Sequence, residues 1–320
     1  MLRRIRLTGV AVCTAASAMV LAACGSGGSG GSGGDVVRLA TGVDPSYAAV
    51  YVAEDQGFFK DQGVDVQVSN LEGGPAMAQA VIAGQADMGT QSDATTVTQM
   101  ASSPDLVGLM DFQHSSTYIK VVWGPKVKAV SDIKKLATLP GIMTLATVRY
   151  LESKGVDPKS VEQVSANPPD VPVMLKRGDV DATVIYEPWA TRAAQESGGK
   201  IVGNIGDFGV SYAQWLIASN KWLKGHEEQA ADVAAAIDEA NTFIKENPEE
   251  ADQIISKAIK LPVDQTATLM KDLIIETRDI DSDALATEKK TAQFFVDNGT
   301  LKSMPDLDKQ VLVGWWSAHK

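Results

Sequence analysis

Short apolar runs alternate with amphipathic segments along most of the chain. Residues 36–40 form a β-branched run, residues 46–59 carry apolar side chains at helical spacing, and Val64, Val66 and Val68 alternate with polar neighbours. Apolar residues that recur every three or four positions favour a helix, whereas strict alternation favours a strand. The first part of this region is therefore predicted to fold as strand, helix, strand.

The same alternation of strands and helices continues beyond residue 200. We predict a helix at 75–83, a strand end at 87–90, a helix at 93–101, strands at 106–110 and 118–123, a helix at 142–154, a strand at 161–164, a helix at 169–176, a strand at 182–186, a helix at 188–196 and strands at 201–202 and 214–218. Amphipathic helices follow around 226–246, 248–259, 263–274, 284–297 and 306–318. This order is typical of α/β proteins whose parallel sheets are covered on both faces.

A break at Gly124-Pro125 separates two βα series, so we predict two lobes. Lobe 1 is expected to comprise residues 35–117 and 211–320, including the C-terminal helices, and lobe 2 residues 118–210. The chain would then pass between the lobes near Tyr118 and near Gly209, and two such crossings form a hinge. Because ligands of open α/β sheets bind beyond the carboxyl ends of the strands, the cleft between the lobes is the predicted site.

The first 34 residues follow a different pattern. Three arginines within residues 1–6 precede an apolar stretch that ends in Leu-Ala-Ala-Cys at residues 21–24. The apolar stretch of roughly 15 residues is too short for a membrane span, which needs about 20, and is typical of a signal peptide. Leu-Ala-Ala-Cys resembles a bacterial lipobox, so we predict a signal peptide at 1–23, lipidation (palmitate) of Cys24 and a flexible Gly/Ser tether through residue 34. The alternative is an ordinary secretory signal with an incidental cysteine.

Composition excludes several classes of function. The chain has 29 basic and 40 acidic residues, a net charge of −11, so a nucleic acid is not an expected partner. The cysteines are Cys13 and Cys24, and the three histidines are far apart, which argues against a disulfide framework, a metal site and a catalytic triad. We therefore predict no cofactor, no metal and no catalytic residue.

Three segments carry distinctive motifs: residues 51–66 with Gly-Phe-Phe and Gly-Val-Asp-Val, residues 73–89 with Gly-Gln-Ala-Asp-Met-Gly, and residues 175–189 with Gly-Asp-Val-Asp-Ala and Glu-Pro-Trp. In this order they resemble the solute-binding proteins of ABC importers for nitrate, sulfonate, taurine and related compounds. The resemblance implies the two-lobed type II periplasmic-binding-protein fold. It also implies a monomeric, lipid-anchored receptor on the extracytoplasmic face of the cell membrane, which delivers a small solute to the ABC permease subunits.

One segment departs from the family's pattern. After the element at 132–136, the family usually has Gly-Lys, a short strand and a Gly/Ser/Thr turn that opens a helix, whereas here only Ala137-Thr138-Leu139 precede Pro140-Gly141. We expect a strand of lobe 2 to be shortened or absent. Whether residues 137–141 form part of the cleft stays open.

Candidate ligand-binding residues lie where predicted strands end or where the chain changes lobe. They are Asp44, Ser46, Tyr47, Gln91, Ser92, Asp93, His114, Ser115, Tyr186, Glu187, Trp189, Asp207 and Phe208. Several have a local alternative, because Asp, Ser and Glu-Pro at these positions also cap helices. For His114 and Ser115 the alternative is a solvated hairpin.

The acidic residues among the loop positions bear on the solute. Asp44, Asp93, Asp111, Glu187 and Asp207 are predicted there, and no arginine is placed at a strand end. Burying an inorganic anion beside unpaired carboxylates costs several kcal/mol. We therefore expect an organic solute of the sulfonate, amine or heterocycle type, with a neutral, aromatic or amine-bearing part on the acidic side, rather than nitrate or bicarbonate.

Two other functions are compatible with this fold. The first is an enzyme acting on a sulfinate or a thiamin-pyrimidine-like substrate, which would need a nucleophilic cysteine or a histidine cluster. The second is a ligand-sensing adaptor of a membrane kinase, which would bind its solute in the same way.

Overall fold

The computed structural model describes residues 36–73 and 75–320. The predicted signal peptide, the lipidated Cys24 and the Gly/Ser tether lie outside the described residues. The strands are, in chain order, β1 (Val37–Thr41), β2 (Val66–Asn70), β3 (Met88–Ser92), β4 (Leu106–Ser115), β5 (Ile119–Trp123), β6 (Lys135–Thr138), β7 (Glu162–Ser165), β8 (Ala182–Tyr186), β9 (Lys200–Asn204), β10 (Tyr212–Ser219) and β11 (Ile274–Asp279).

Helices cover the sheets and form the C-terminal part of the chain. They are α1 (Ala48–Gln56), α2 (Phe58–Asp61), α3 (Ala76–Ile82), α4 (Asp93–Met100), α5 (Ile142–Ser153), α6 (Val171–Arg177), α7 (Trp189–Ser197), α8 (Asn220–Leu223), α9 (Glu227–Glu246), α10 (Pro248–Ile259), α11 (Val263–Met270), α12 (Ser282–Asp297), α13 (Leu307–Gln310) and α14 (Trp315–His319). Within the described ranges, no helix has the length and apolar character to cross a bilayer.

The strands form two sheets. One sheet has six strands in the order β11-β4-β10-β3-β1-β2, and the other has five in the order β7-β6-β8-β5-β9. In the six-stranded sheet β1 is parallel to β2 and β3, whereas β10 is inserted antiparallel between β3 and β4. In the five-stranded sheet β6 is parallel to β7 and β8, and β5 is antiparallel to β8 and β9. The predicted α/β class is confirmed.

The chain passes from the six-stranded to the five-stranded sheet between β4 and β5 and returns between β9 and β10. The two connections lie side by side, because the amide of Gly206 donates to the carbonyl of Ser116 at 2.7 Å. The hydroxyl of Ser115 donates to the carbonyl of Asp272 at 2.6 Å, and Lys120 Nζ lies 2.7 Å from Asp272 Oδ2. The segment before β11 therefore holds the first connection in place.

The strand expected to be shortened or absent near residue 137 is present as β6, which has four residues. Two other sequence predictions about individual elements need correction. The helix predicted at 263–274 ends at Met270, and Ile274–Asp279 instead form β11, which pairs antiparallel with β4. Residues 306–318 form two short helices rather than one, since Gly314 adopts φ +72° between them, a conformation that ends helices.

Two buried carboxyl groups lie where α12 packs against α4. Asp93 and Glu288 are both at least nine-tenths buried, and burial raises the pKa of each carboxyl. Their mutual repulsion raises the pKa of Glu288 further, and Glu288 Oε2 accepts no hydrogen bond in the described part of the chain. Asp111, by contrast, receives hydrogen bonds from Arg278 at 2.6 Å. The Asp93 and Glu288 carboxyls thus repel each other when both are ionised, and Glu288 Oε2 has no donor to offset this repulsion in the described part of the chain.

Replacing Gly108 by alanine should destabilise the protein. A Cβ at this buried position would lie 2.8 Å from Trp215 Cε3 and 3.3 Å from Ile280 Cδ1, so the indole must move. Overpacking of this kind costs about 1–3 kcal/mol. Urea denaturation of Gly108→Ala should show the loss, whereas Gly225→Ala, whose Cβ would meet nothing within 4 Å, should not.

Replacing Glu288 by glutamine should stabilise the protein increasingly as the pH rises. The pKa of this carboxyl is higher in the folded state than in the unfolded state. The free energy of unfolding therefore falls as the pH rises above about 4, by ~1.4 kcal/mol per pH unit, until the pH reaches the pKa of the folded state. Glutamine carries no such penalty. Thermal unfolding should show Glu288→Gln gaining about 2 kcal/mol or more between pH 5 and pH 8. The control is Asp283→Asn, an exposed position in the same helix, whose difference from the wild type in free energy of unfolding should be the same at both pH values. An equally constant difference for Glu288→Gln would contradict the prediction.

Candidate functional site

A cavity of about 730 Å³ is lined by residues from both sheets and their loops. From the six-stranded sheet come the loops after β1, β2 and β3, together with Tyr212 and Gln214 of β10. From the five-stranded sheet come the first residues of α5, the loop after β7 and the end of β8 with the start of α7. Residues 258–261, at the end of α10, complete the lining. The cavity thus lies where the carboxyl ends of parallel strands from both sheets meet, the position at which ligands of open α/β sheets bind.

The loop after β1 forms a tight, polar part of the lining. Pro45–Tyr47 is a 3₁₀ turn capped by Asp44, whose Oδ1 accepts hydrogen bonds from Ser46 N at 2.9 Å and Ser46 Oγ at 2.6 Å. Gln214 Nε2 donates to Ser46 Oγ at 3.0 Å. Burial raises the pKa of Asp44, although the hydrogen bonds from Ser46 oppose this shift. The capping interpretation and the cavity-lining prediction therefore both apply to Asp44.

Tyr118 connects the two sheets across the cavity. Its buried hydroxyl lies 2.7 Å from the carbonyl oxygen of Glu187, at the end of β8, and 3.0 Å from Asp44 Oδ1, after β1. Both partners are acceptors, so the phenol donates toward one residue of each sheet. Burial raises the pKa of Tyr118 well above its usual range, which keeps the hydroxyl protonated as a donor.

Four further aromatic residues line the cavity. They are Tyr47, Tyr186, Trp189 and Tyr212. The centroids of the Tyr118 and Tyr212 rings lie 6.5 Å apart. Burial raises the pKa of the tyrosine hydroxyls, so all of these rings are neutral. The lining offers aromatic surface and neutral hydroxyl groups to a solute.

A helix of the six-stranded sheet and one of the five-stranded sheet meet at the beginning of α5. Gly141 has φ +83°, and a Cβ at this position would overlap Thr95 of α4. Thr95 Oγ1 accepts a hydrogen bond from Ser92 Oγ at 2.8 Å. The amide nitrogen of Ile142 lies 3.4 Å from the same Thr95 oxygen. The lining from α5 consists of Ile142 and Met143, so the cavity wall begins one residue after the 137–141 segment.

Arg192 is a charged lining residue that the sequence analysis missed. It follows Trp189 by three positions on α7, and residues three apart lie on the same helix face. Its guanidinium carbon lies 5.0 Å from the centroid of the Trp189 ring. Among the described residues it forms no ion pair with a carboxylate. A positive charge therefore borders the cavity.

The structure brings part of the predicted ligand-binding set together. The predicted residues in the cavity lining are Asp44, Ser46, Tyr47, Ser92, Tyr186 and Trp189. Those outside the lining are Gln91, Asp93, His114, Ser115, Glu187, Asp207 and Phe208.

Side chains outside the lining serve the fold around it. Gln91 Oε1 accepts from Ala78 N, and the Asp93 carboxylate accepts from Ala94 N and Ala213 N. Glu187 caps α7, since its carboxylate accepts from the amide and the hydroxyl of Thr191 at 3.0 and 2.9 Å. The local alternative foreseen for Glu187 accounts for its carboxylate, whereas the Asp93 carboxylate also binds β10 through Ala213 N.

The predicted ligand-binding residues near the two connections also lie outside the cavity lining and contact other parts of the fold. His114 and Ser115 belong to β4, which extends beyond its predicted end, and neither lies in a hairpin. Asp207 accepts from Asn204 N in the 3₁₀ turn before β10. Phe208 packs against Tyr150, with ring centroids 5.8 Å apart, in a smaller cavity on the five-stranded sheet.

Some lining residues that the sequence analysis missed could have been predicted. Residues 70–73 and 167–169 lie at or just after the ends of β2 and β7, and ligands of open α/β sheets bind beyond strand ends. Residues 258–261 could not have been predicted, because nothing in the sequence of an amphipathic helix indicates that its end lies against the cleft.

Comparison with known proteins agrees with this geometry. Residues 44–251 match the family described as NMT1/THI5 like. The chain is 22% identical over 244 residues to the putative aliphatic sulfonates-binding protein of Escherichia coli (74% of this chain, 76% of the relative). It is 25% identical over 220 residues to the taurine-binding periplasmic protein of the same organism (67% of each).

A solved structure shares the fold. The periplasmic aliphatic sulphonate binding protein SsuA of E. coli superimposes with a TM-score of 0.76 at 17% sequence identity, covering 89% of this chain and 99% of SsuA. The type II periplasmic-binding fold implied by the sequence motifs is thereby confirmed. With the family match spanning residues 44–251, the chain belongs to the NMT1/THI5-like family.

Proposed function

We propose that this protein is the extracytoplasmic solute-binding component of an ABC importer, which captures a small organic solute and delivers it unchanged to the permease. The observation that carries the proposal is the cavity of about 730 Å³, lined from both sheets and bridged by Tyr118. Binding pockets for small molecules commonly have volumes of about 300–1,000 Å³ and mix apolar walls with a few oriented polar groups. The curated relatives are named as binding proteins, which favours binding over the enzymatic alternative.

In this proposal the two sheets are the cores of lobes that close around the solute. The paired connections at Ser116 and Gly206 form the hinge. A solute that contacts both walls binds the closed arrangement better than the open one, and this difference in affinity shifts the population toward closure.

The structure changes the argument about the charge of the solute. Of the carboxylates considered in the sequence analysis, only Asp44 lines the cavity. Asp111 is paired with Arg278, and Asp93, Glu187 and Asp207 accept hydrogen bonds from neighbouring groups. Arg192 supplies a positive charge to the same cavity. An organic anion such as a sulfonate is therefore compatible with the site, as the names of the relatives also indicate.

We further propose that Cys24 carries the lipid that holds the protein at the outer face of the cell membrane, as a monomer. Metabolic labelling with a palmitate analogue should mark the wild-type protein and leave Cys24→Ser unlabelled. Equal labelling of both would refute the lipobox interpretation without affecting the binding proposal.

Purified full-length protein should bind a solute from a panel of sulfonates, amines, pyrimidines and aromatic acids. A ligand at a 100-fold excess over its Kd adds about 2.7 kcal/mol to the free energy of unfolding, so thermal shift can rank the panel before calorimetry. Mass spectrometry of the recovered solute should show it unchanged. The proposal fails if no member binds, or if the protein converts the solute into a product.

Replacing Tyr118 by phenylalanine should weaken binding of the solute found in that panel by about tenfold. The variant loses the donor shared by Asp44 and the Glu187 carbonyl, so the closed arrangement loses a contact between its walls. Tyr150→Phe is the matched control, because its hydroxyl accepts from Trp123 Nε1 away from the cavity. Equal affinities of both variants, measured by calorimetry, would show that the Tyr118 hydroxyl does not support the closed state.

A further inference from the structure

One ion pair joins the two halves of the fold beside the first connection. Lys120 belongs to β5 of the five-stranded sheet, and its Nζ lies 2.7 Å from Oδ2 of Asp272, which precedes β11 of the six-stranded sheet. Every other ion pair within residues 36–73 and 75–320 stays on one side of the two connections. The side chains of Lys120 and Asp272 are 15% and 28% exposed, so solvent and salt screen this pair less than an ion pair at the surface.

Asp272 contacts the first connection at both of its ends. Its carbonyl oxygen accepts hydrogen bonds from Ser115 Oγ at 2.6 Å and from Thr117 Oγ1 at 3.1 Å, and its carboxylate accepts from Lys120 Nζ. Ser115 Oγ in turn accepts from the amides of Thr117 and Tyr118 at 3.0 and 2.9 Å. These contacts fix the backbone of the connection and therefore the position from which the Tyr118 side chain extends toward the cavity.

Lys120 also faces the wall of the cavity that follows β8. Burial raises the pKa of Glu187, while hydrogen bonds from Thr191 and the positive charge of Lys120 oppose this shift. Glu187 caps α7 through Thr191, and the same helix carries Trp189 of the cavity lining. The negative charge of Asp272 also acts on Glu187, so Lys120 is the cation shared by two carboxylates, one from each half of the fold.

We propose that Lys120 and Asp272 form a latch that keeps the two walls of the cavity together before a solute binds. With the latch formed, the connection places the Tyr118 hydroxyl near acceptors in both halves. Removing one partner leaves the other charge partly buried and uncompensated, which disfavours this arrangement of the connection. The walls should then separate where they meet away from the connections, at Thr95 Oγ1 and the amide nitrogen of Ile142, which are 3.4 Å apart.

The latch affects solute affinity without contacting the solute, since neither Lys120 nor Asp272 lines the cavity. This consequence rests on the proposed function. When only a fraction of the molecules has both walls in place, the apparent affinity is reduced by that fraction. Lys120 and Asp272 are therefore positioning residues, which increase the fraction of molecules that is ready to bind.

Hydrogen–deuterium exchange of the solute-free protein tests the latch directly. The amide of Ile142 reports the contact between the walls, because the oxygen beside it belongs to Thr95 of the other half. The amide of Gly206 reports the paired connections, because it donates to the carbonyl of Ser116. Amides of residues 216–217, in the buried middle of β10, report general stability.

Lys120→Met and Asp272→Asn should each accelerate exchange at Ile142 and Gly206 by about fivefold or more and leave residues 216–217 unchanged. The double variant should exchange no faster than the faster single variant, because both changes remove the same contact. Wild-type exchange at Ile142 in both single variants would overturn the latch. An equal acceleration at residues 216–217 would show a general loss of stability and would also overturn it.

Two further variants separate the latch from other effects of substitution. Lys120→Arg retains the positive charge and should exchange like the wild type. Lys135→Met is the matched control, because Lys135 is paired with Glu162 at 3.2 Å within the five-stranded sheet, so its loss should leave Ile142 protected. Acceleration at Ile142 in Lys135→Met as large as in Lys120→Met would contradict a specific role of the pair with Asp272.

Calorimetry then tests the effect on affinity, with the member of the sulfonate, amine, pyrimidine and aromatic acid panel that binds the wild-type protein most tightly. Lys120→Met and Asp272→Asn should weaken its binding by about fivefold or more, and Lys135→Met should bind like the wild type. Unchanged affinity in the first two variants would refute the positioning role and leave the proposed function intact. If no member of the panel binds, the proposed function fails, whereas the exchange rates still decide whether the latch exists.

Discussion

The Tyr118 hydroxyl is the contact on which the geometry of the cavity depends. A buried phenol needs an acceptor, and this one finds an acceptor in each sheet, at Asp44 and at the carbonyl of Glu187. Tyr118 can reach both because it lies immediately before β5, where the chain has just left the six-stranded sheet. The distance between the two walls is therefore coupled to the conformation of the connection itself.

That connection is held by a part of the chain far away in sequence. Asp272 accepts hydrogen bonds from Ser115 and Thr117 through its carbonyl and is paired with Lys120 through its carboxylate. The residue lies between α11 and β11, so the C-terminal region is a structural element of the crossing rather than an appendage to the first sheet. Its helices also approach the second sheet, since Arg149 of α5 lies 5.2 Å from the Phe294 ring of α12.

Hydrophobic periodicity predicted the βα order because the strands are short alternating or apolar segments between helices, as at residues 64–68 and 182–186. It could not predict β11, because Ile274 and Ile275 directly follow a helical segment and only pairing with β4 makes them a strand. The positions of the strand ends predicted where the cavity lies but not the role of each side chain. A carboxylate at a strand end can line the cavity, as Asp44 does, or cap a helix, as Glu187 does. The sequence analysis missed Arg192 because this residue lies one turn inside α7 rather than at the end of β8.

Gly141 limits which residues can stand at the start of α5. Because a Cβ there would overlap Thr95 of α4, alanine at this position requires the contact between α4 and α5 to open or the local backbone to change. Under the proposed function, a single methyl group at this point would therefore oppose the closed arrangement of the two walls.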